Sequence, residues 1–448
     1  MLDTSSPPTA GHLRECLACG RFQEVPRVEA KQAAHCLRCD TPLRRGRASP
    51  LTHSLAFTIA AAMMLLLAVS LPFLGLRALG RFYPSTMFTG PVSLSHYGLP
   101  ELGLLVLLTA MVMPAIKLGV MLWVLVGLRT EHPPKSLPRV FAWLDTIRPW
   151  AMVEVFMLGV FVAFSRLEAI ATVTIGPALY AIGACMLATA AADASLDHEA
   201  VWEEMDRLGL SGAPLAHGPQ RISCTSCNMV HRAQSGQRCT RCRSTLRLRT
   251  PRSMATTWSL VLASLVFYLP ANLLPVMTVT RYGRSQPDTI MSTVKQLGEA
   301  GMWPLALLVF FASIMVPGAK LIALILMMVT THRGSAWALR GRTRLHRIVE
   351  FVGRWSMLDV FLLSTLVALV HVGLLSTIRP ENGDIYFASV VVLTMIAARS
   401  FDSRLMWDAA GQSDADCPDS PEIAASMSAL GTYPASAAPE GSPAGANA

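Results

Sequence analysis

Long apolar blocks dominate this sequence, and each is close to the length that crosses a lipid bilayer. A helix spanning the ~30 Å hydrocarbon core needs about 20 mainly apolar residues. Eight stretches meet that requirement, near 53–76, 99–128, 150–168, 171–192, 255–279, 302–330, 355–377 and 384–399. Only 15% of the residues are charged, against about 25% in soluble domains. A string of soluble globular domains is excluded, and so are collagen-like, disordered and disulfide-scaffold chains. The fold class expected is a polytopic α-helical membrane protein. The first 50 residues are polar and carry cysteines, so no secretory signal is expected and the first span would be an uncleaved anchor.

The chain has 38 Lys+Arg against 29 Asp+Glu, a net charge of +9. If the N-terminus lies in the cytoplasm, 29 of the 38 basic residues fall in inside segments and seven in outside loops. The remaining two, Lys117 and Lys320, lie within spans. Such a split obeys the positive-inside rule. It places both termini, and both cysteine-bearing segments, in the cytoplasm. The surplus reads as topology and headgroup contact, not as nucleic-acid binding.

The sequence repeats itself at a spacing of about 205 residues. Met113-Pro114-Ala115-Ile116-Lys117 matches Val316-Pro317-Gly318-Ala319-Lys320. Trp150-x3-Glu154-Val155-Phe156 matches Trp355-x3-Asp359-Val360-Phe361. Ser195-Leu196-Asp197 with Trp202 matches Ser400-Phe401-Asp402 with Trp407. Each half holds an even number of spans, which makes the halves parallel repeats. The expected division is 1–50 with the first cysteine set, 51–198 with four spans, 199–252 with the second cysteine set, and 253–410 with four spans. The Ser/Ala/Pro/Gly-rich tail 411–448 reads as disordered.

Eight of the ten cysteines form two CxxC…CxxC sets, Cys16, Cys19, Cys36, Cys39 and Cys224, Cys227, Cys239, Cys242. Four thiolates from two tight knuckles make a closed tetrahedral site, which suits structural Zn²⁺. Gly20 and Asp40 suit the knuckle turns. Disulfides are disfavoured in a reducing cytosol; iron is the minor alternative metal. A closed site leaves no open position for catalysis, and the sequence holds no catalytic triad or phosphate-binding loop, so no enzyme is expected. Cys185 reads as a core residue, Cys417 lies in the tail, and His231 is a spare candidate ligand.

Ionisable residues inside spans are costly and point to function. Lys117 and Lys320 each follow a proline, Pro114 and Pro317, which frees a backbone carbonyl that needs a partner. Glu154 and Asp359 lie in the next span of each half. The repeat predicts a Lys117–Glu154 and a Lys320–Asp359 pair. The second half is richer. Ser356 shares a helix face with Asp359, Ser313 lies two turns before Lys320, and Thr394 completes the cluster; Ala151 and Ala110 replace the two serines in the first half. A transport or proton-relay role is expected for these residues. The competing reading is that the pairs only lock helices together. Asn272, between Pro270 and Pro275, satisfies broken-helix backbone or marks a hinge or gate. Glu101, Glu299 and Asp288 read as interfacial.

The duplicated cysteine sets, Pro-Ala-Asn-Leu-Leu-Pro at 270–275, Val-Pro-Gly-Ala-Lys at 316–320, Arg-Trp-Ser-Met-Leu-Asp-Val-Phe at 354–361 and Phe-Asp-x-Arg-x-x-Trp at 401–407 carry a resemblance. The chain resembles the paraquat-inducible protein A family of bacterial inner-membrane proteins over about residues 12–410. The resemblance implies two tandem modules, each a zinc ribbon followed by a tetraspanin-like four-helix bundle. It also implies a role in phospholipid traffic beside periplasmic mammalian-cell-entry-domain proteins, which build tunnels toward the outer membrane. Ser313, Lys320, Ser356, Asp359 and Thr394 would form its polar cluster, with Glu154 as the first-half counterpart. The alternatives are a non-transporting scaffold that anchors a periplasmic partner and a redox- or metal-responsive stress protein.

Overall fold

A computed structural model of the chain describes residues 12–26, 28, 32–46, 50–78, 81–168, 172–281, 284–370 and 376–413. Cys417 and nearly all of the tail 411–448 lie outside them. The first half runs β1 (His12–Glu15), β2 (Phe22–Val25), β3 (Ala33–His35), β4 (Pro42–Arg45), α1 (Pro50–Ser70), β5 (Leu74–Ala78), β6 (Arg81–Ser85), α2 (Thr89–His96), α3 (Pro100–Leu107), α4 (Met113–Gly127), α5 (Leu137–Ile147), α6 (Val153–Glu168), β7 (Thr172–Ile175), α7 (Pro177–Ser195) and α8 (His198–Arg207). The second repeats the plan with β8 (Gln220–Ser223), β9 (Val230–Ala233), α9 (Ser253–Leu273), β10 (Met277–Arg281), β11 (Arg284–Asp288), α10 (Ile290–Glu299), α11 (Trp303–Phe310), α12 (Val316–His332), α13 (Leu339–Val352), α14 (Leu358–Val370), β12 (Ser376–Pro380), α15 (Gly383–Ser400) and α16 (Arg404–Ala409).

Eight helical stretches among the described residues are long and apolar enough to cross a membrane, four in each half. Their apolar residues face outward as well as inward. Leu66, Val266, Ile322 and Leu187 are each more than 60% exposed, which suits a lipid solvent and not water. Four boundaries differ from the sequence reading. The first and fifth spans stop at Ser70 and Leu273, and β5 and β10 take the residues expected to extend them. Residues 137–147 and 339–352, read as polar connections, are amphipathic helices. They bury Leu137, Phe141 and Leu144, or Leu339 and Val349, and lead through short 3-10 turns into α6 and α14.

In each half the membrane helices end on one side in a three-stranded antiparallel sheet, ordered β6-β5-β7 and β11-β10-β12. The opposite side carries the cysteine ribbons. The first and last spans of each half lie side by side, α1 on α7 and α9 on α15. The halves meet chiefly through α6 and α14. There the repeat-equivalent Phe156 and Phe361 touch edge to face, with centroids 5.6 Å apart. A Cβ on Gly159 would lie 2.9 Å from Phe361 Cβ, so this glycine sets how closely the helices approach.

Both proline positions are relieved in the same way. A π-turn, Leu108–Val112 or Phe311–Met315, precedes Pro114 or Pro317. The wider turn absorbs the missing proline N–H. Freed carbonyls find partners elsewhere. Met152 N–H donates to Thr109 O at 3.2 Å, and Tyr268 Oη donates to Ile314 O at 3.2 Å.

The ribbons are exchanged. The first ribbon precedes the first bundle in sequence, yet its four cysteines pack with Leu321, Leu324, Met327, Phe401 and Trp407 of the second. The second ribbon packs with Met121, Val124, Phe141 and Trp202 of the first. An arginine inside each knuckle marks the crossing. Arg38 lies 5.6 Å from the Trp407 ring, and Arg241 lies 5.4 Å from the Trp202 ring. The repeated aspartates Asp197 and Asp402 shape the chain before each tryptophan. Asp197 Oδ1 accepts Glu199 N–H at 3.0 Å, and Asp402 Oδ1 accepts Arg404 N–H at 3.1 Å.

Candidate functional site

Two kinds of site emerge, one in the ribbons and one within the bundles. In each ribbon the residue after the second knuckle cysteine turns left-handed: Gly20 at φ +76°, Asp40 at +59°, Asn228 at +56° and Arg243 at +61°. That turn sends each N–H back to the carbonyl of the first cysteine, as from Gly20 to Cys16 at 2.8 Å and from Asn228 to Cys224 at 2.9 Å. The four sulfurs of each set then lie within 4.8 Å of one another, all in buried residues. Nearest pairs are 3.4–3.6 Å apart. Tetrahedral metal–thiolate bonds of about 2.3 Å place sulfurs about 3.8 Å apart, so both sets fit a four-coordinate metal ion and neither pair distance is a disulfide. His231 is not a ligand in this arrangement. Leu215 N–H donates to its Nδ1 at 3.1 Å, so Nε2 carries the proton that faces Cys239 Sγ at 3.3 Å. Such a second-sphere N–H orients and stabilises the thiolate.

The docked ribbons are tied down by buried ions. Glu15 accepts from Arg404 at 3.0 Å and from Arg249 at 3.3 Å, and Arg14 pairs with Glu199. Burial pushes the Glu15 carboxyl up, against the pull of the two arginines. Burial also opposes charge on Asp402, yet its hydrogen bonds to Arg404 hold that carboxyl below its ordinary value.

Within the bundles, Lys117 is 3% exposed and donates to Asp193 Oδ2 at 2.6 Å. The expected partner was Glu154, which is instead half-buried at the start of α6. The reason is positional: Asp193 sits in the last turn of α7, level with Lys117, and Arg148 approaches its other oxygen at 3.6 Å. Lys320, 2% exposed, meets Ser356 Oγ at 3.5 Å. Gly353 lies beside it, and a Cβ there would stand 3.9 Å from Nζ, an ordinary van der Waals contact. Ser313 lies in the π-turn, its hydroxyl buried and without a hydrogen-bond partner among the described residues. Thr394, fully buried, donates to Val391 O of its own helix at 3.0 Å. Asp359 lies one turn beyond Ser356 and lines a small cavity with Asp384 and Thr293. Asn272 Nδ2 donates to Tyr268 O at 2.8 Å, so its amide serves backbone near Pro270 and Pro275 where α9 ends. Asp288 is buried, not interfacial, and is held by Ser292 and Gln296.

The family model described as paraquat-inducible protein A matches residues 51–206 and again 254–411. The chain belongs to the paraquat-inducible protein A family. The two matched stretches are the two bundles, so the family unit is the membrane module without its ribbon. Among relatives, the intermembrane transport protein PqiA of Escherichia coli (strain K12) is 32% identical over 89% of this chain and 96% of its own length. The lipophilic envelope-spanning tunnel protein A of the same strain is 29% identical over 89% and 92%. A probable intermembrane transport protein of Haemophilus influenzae is 27% identical over 90% and 97%. No solved structure matches the chain. A paraquat-inducible protein A family member with eight membrane helices, tandem repeats and two four-cysteine groups is a multi-pass membrane protein with a part in intermembrane transport.

Sequence reasoning missed Asp193, Asp384, Thr293 and Tyr268. Asp193 and Asp384 each stand in a terminal turn of a span, where a carboxylate reads as interfacial. Only the level of the facing helix shows that Asp193 partners Lys117, and only the packing around it shows that Asp384 is buried.

Proposed function

We propose that the protein is the inner-membrane component of an intermembrane phospholipid transport system and has no enzymatic activity of its own. In this reading both termini and both ribbons face the cytoplasm, and the sheets face the periplasm. A periplasmic mammalian-cell-entry-domain protein would dock on the sheet side and receive or deliver the lipid. Zn²⁺ would fill both ribbons, fixing each beneath the bundle it caps. Support comes from the names of the relatives, the basic bias of the ribbon side and the closed four-sulfur geometry.

One observation carries the mechanistic part: Lys320 is almost fully buried in the second module and faces a hydroxyl. A buried ammonium held by a neutral group gives up its proton, or accepts an anionic headgroup, more readily than one locked to a carboxylate. Lys320, Ser356, Asp359, Ser313 and Thr394 would therefore couple protonation to lipid movement, while Lys117 and Glu154 support the fold and Asn272, Pro270 and Pro275 form a hinge. The test is phospholipid transfer by reconstituted protein. Lys320→Ala and Asp359→Asn should each lower the rate by roughly 10²-fold. Normal transfer in both variants would end the coupling role and favour a scaffold that only anchors its periplasmic partner. Metal analysis of the same preparation should find zinc; iron would correct the cofactor.

A further inference from the structure

The cavity beside Asp359 is a separate chamber from the Lys320–Ser356 contact. It lies where the second bundle meets its sheet, between β10, α10, α14 and α15, with a volume of about 30 Å³. A water needs about 10–15 Å³ on this scale, so there is room for one or two small occupants. Two polar atoms there are fully enclosed and have no hydrogen-bond partner among the described residues: Asp384 Oδ2 and Thr293 Oγ1. Asp384 is 3% exposed and Thr293 6%. Asp359 supplies a second carboxylate to the same walls, which are otherwise Val309, Phe387 and similar apolar groups.

A buried carboxylate oxygen and a hydroxyl left without partners on the wall of a small apolar space are costly unless something in that space satisfies them, and a charge on Asp384 needs a cation there. Other polar and charged groups described near this end of the bundle have partners of their own or face outward. Asp288 is held by Ser292 and Gln296, and Glu381 accepts from Thr278. Tyr268 Oη donates to Ile314 O, and Lys320 meets Ser356. Lys295 and Glu299 on α10 are exposed. The first module lacks this chamber chemistry. Its residues equivalent to Asp384 and Thr293 are Leu179 and Gly90.

We propose that Asp384, Asp359 and Thr293 form a small-cation site, taking a proton or a sodium ion from the sheet side of the membrane. The site adds a port to the coupling role proposed for Asp359 and rests on that reading only for its effect on transport; occupancy is measured independently.

The probe is a hydrophobic carbodiimide applied to full-length protein in lipid nanodiscs, followed by digestion and mass spectrometry. The reagent adds to a protonated carboxyl, and the O-acylisourea rearranges to a stable N-acylurea on the aspartate. Asp384 should be labelled well above exposed Glu299, and Asp359→Asn should change its rate. Slowing by excess sodium chloride, compared with choline chloride at the same pH, identifies sodium; equal rates in both identify the proton. Labelling of Asp384 no faster than Glu299, with unchanged lipid transfer in Asp384→Asn, overturns the site. Strong labelling of Asp384 together with normal transfer in Asp359→Asn would keep the site and sink the coupling role.

Discussion

Lys117 and Lys320 hold the same place in the two repeats, each three residues beyond a proline and just past a π-turn. Their surroundings have diverged. Lys117 is bound to Asp193, while the residue equivalent to Asp193 in the second half is Ala398 and Lys320 meets Ser356 instead. Removing one partner of a buried ion pair leaves an uncompensated charge. Removing a lysine that meets a hydroxyl leaves little behind. The same residue is therefore a structural bolt in one module and a group free to change state in the other.

The comparison breaks most sharply at those two sites. Asp193→Asn should destabilise the protein by about 3–5 kcal/mol, read as a lowered unfolding midpoint in nanodiscs, while Lys320→Met should leave the midpoint near wild type. Equal losses would erase the distinction. A second contrast lies where the modules meet. Gly159→Leu should cost about 1–3 kcal/mol by overpacking against Phe361, whereas Ser364→Ala, at the equivalent position of the other helix, should cost much less. The smallest effect concerns the exchanged ribbons. Arg38→Ala should cost about 0.5–2 kcal/mol, and a double-mutant cycle should couple Arg38 to Trp407 and not to Trp202. Arg241→Ala should cost more, because Arg241 also pairs with Asp206.

Much of this was legible in the sequence because it rests on periodic or local signals. Span length, the knuckle spacing and the repeated prolines each report a short-range constraint, and the turns at Gly20 and Asp40 follow from it. The sheets were not legible as strands, although Val276-Met277-Thr278-Val279-Thr280 and Thr172-Val173-Thr174-Ile175 alternate, because each continues or precedes an apolar block and is absorbed into it. The Lys117–Asp193 pair and the ribbon exchange depend on which helices face each other. That is a tertiary fact no spacing within one strand of text contains.

The exchange has a consequence for how such a chain is made. The first ribbon leaves the ribosome ahead of the eight membrane helices described above, yet its seat is completed by Trp407, near the end of the second bundle. Chains emerge N-terminal first, and domains generally fold as they appear. This ribbon must therefore wait, undocked, while eight helices insert. Its arrival on Trp407 reports that both bundles have been made, so a nascent chain halted between the modules would display an unseated ribbon as a mark of the missing second bundle.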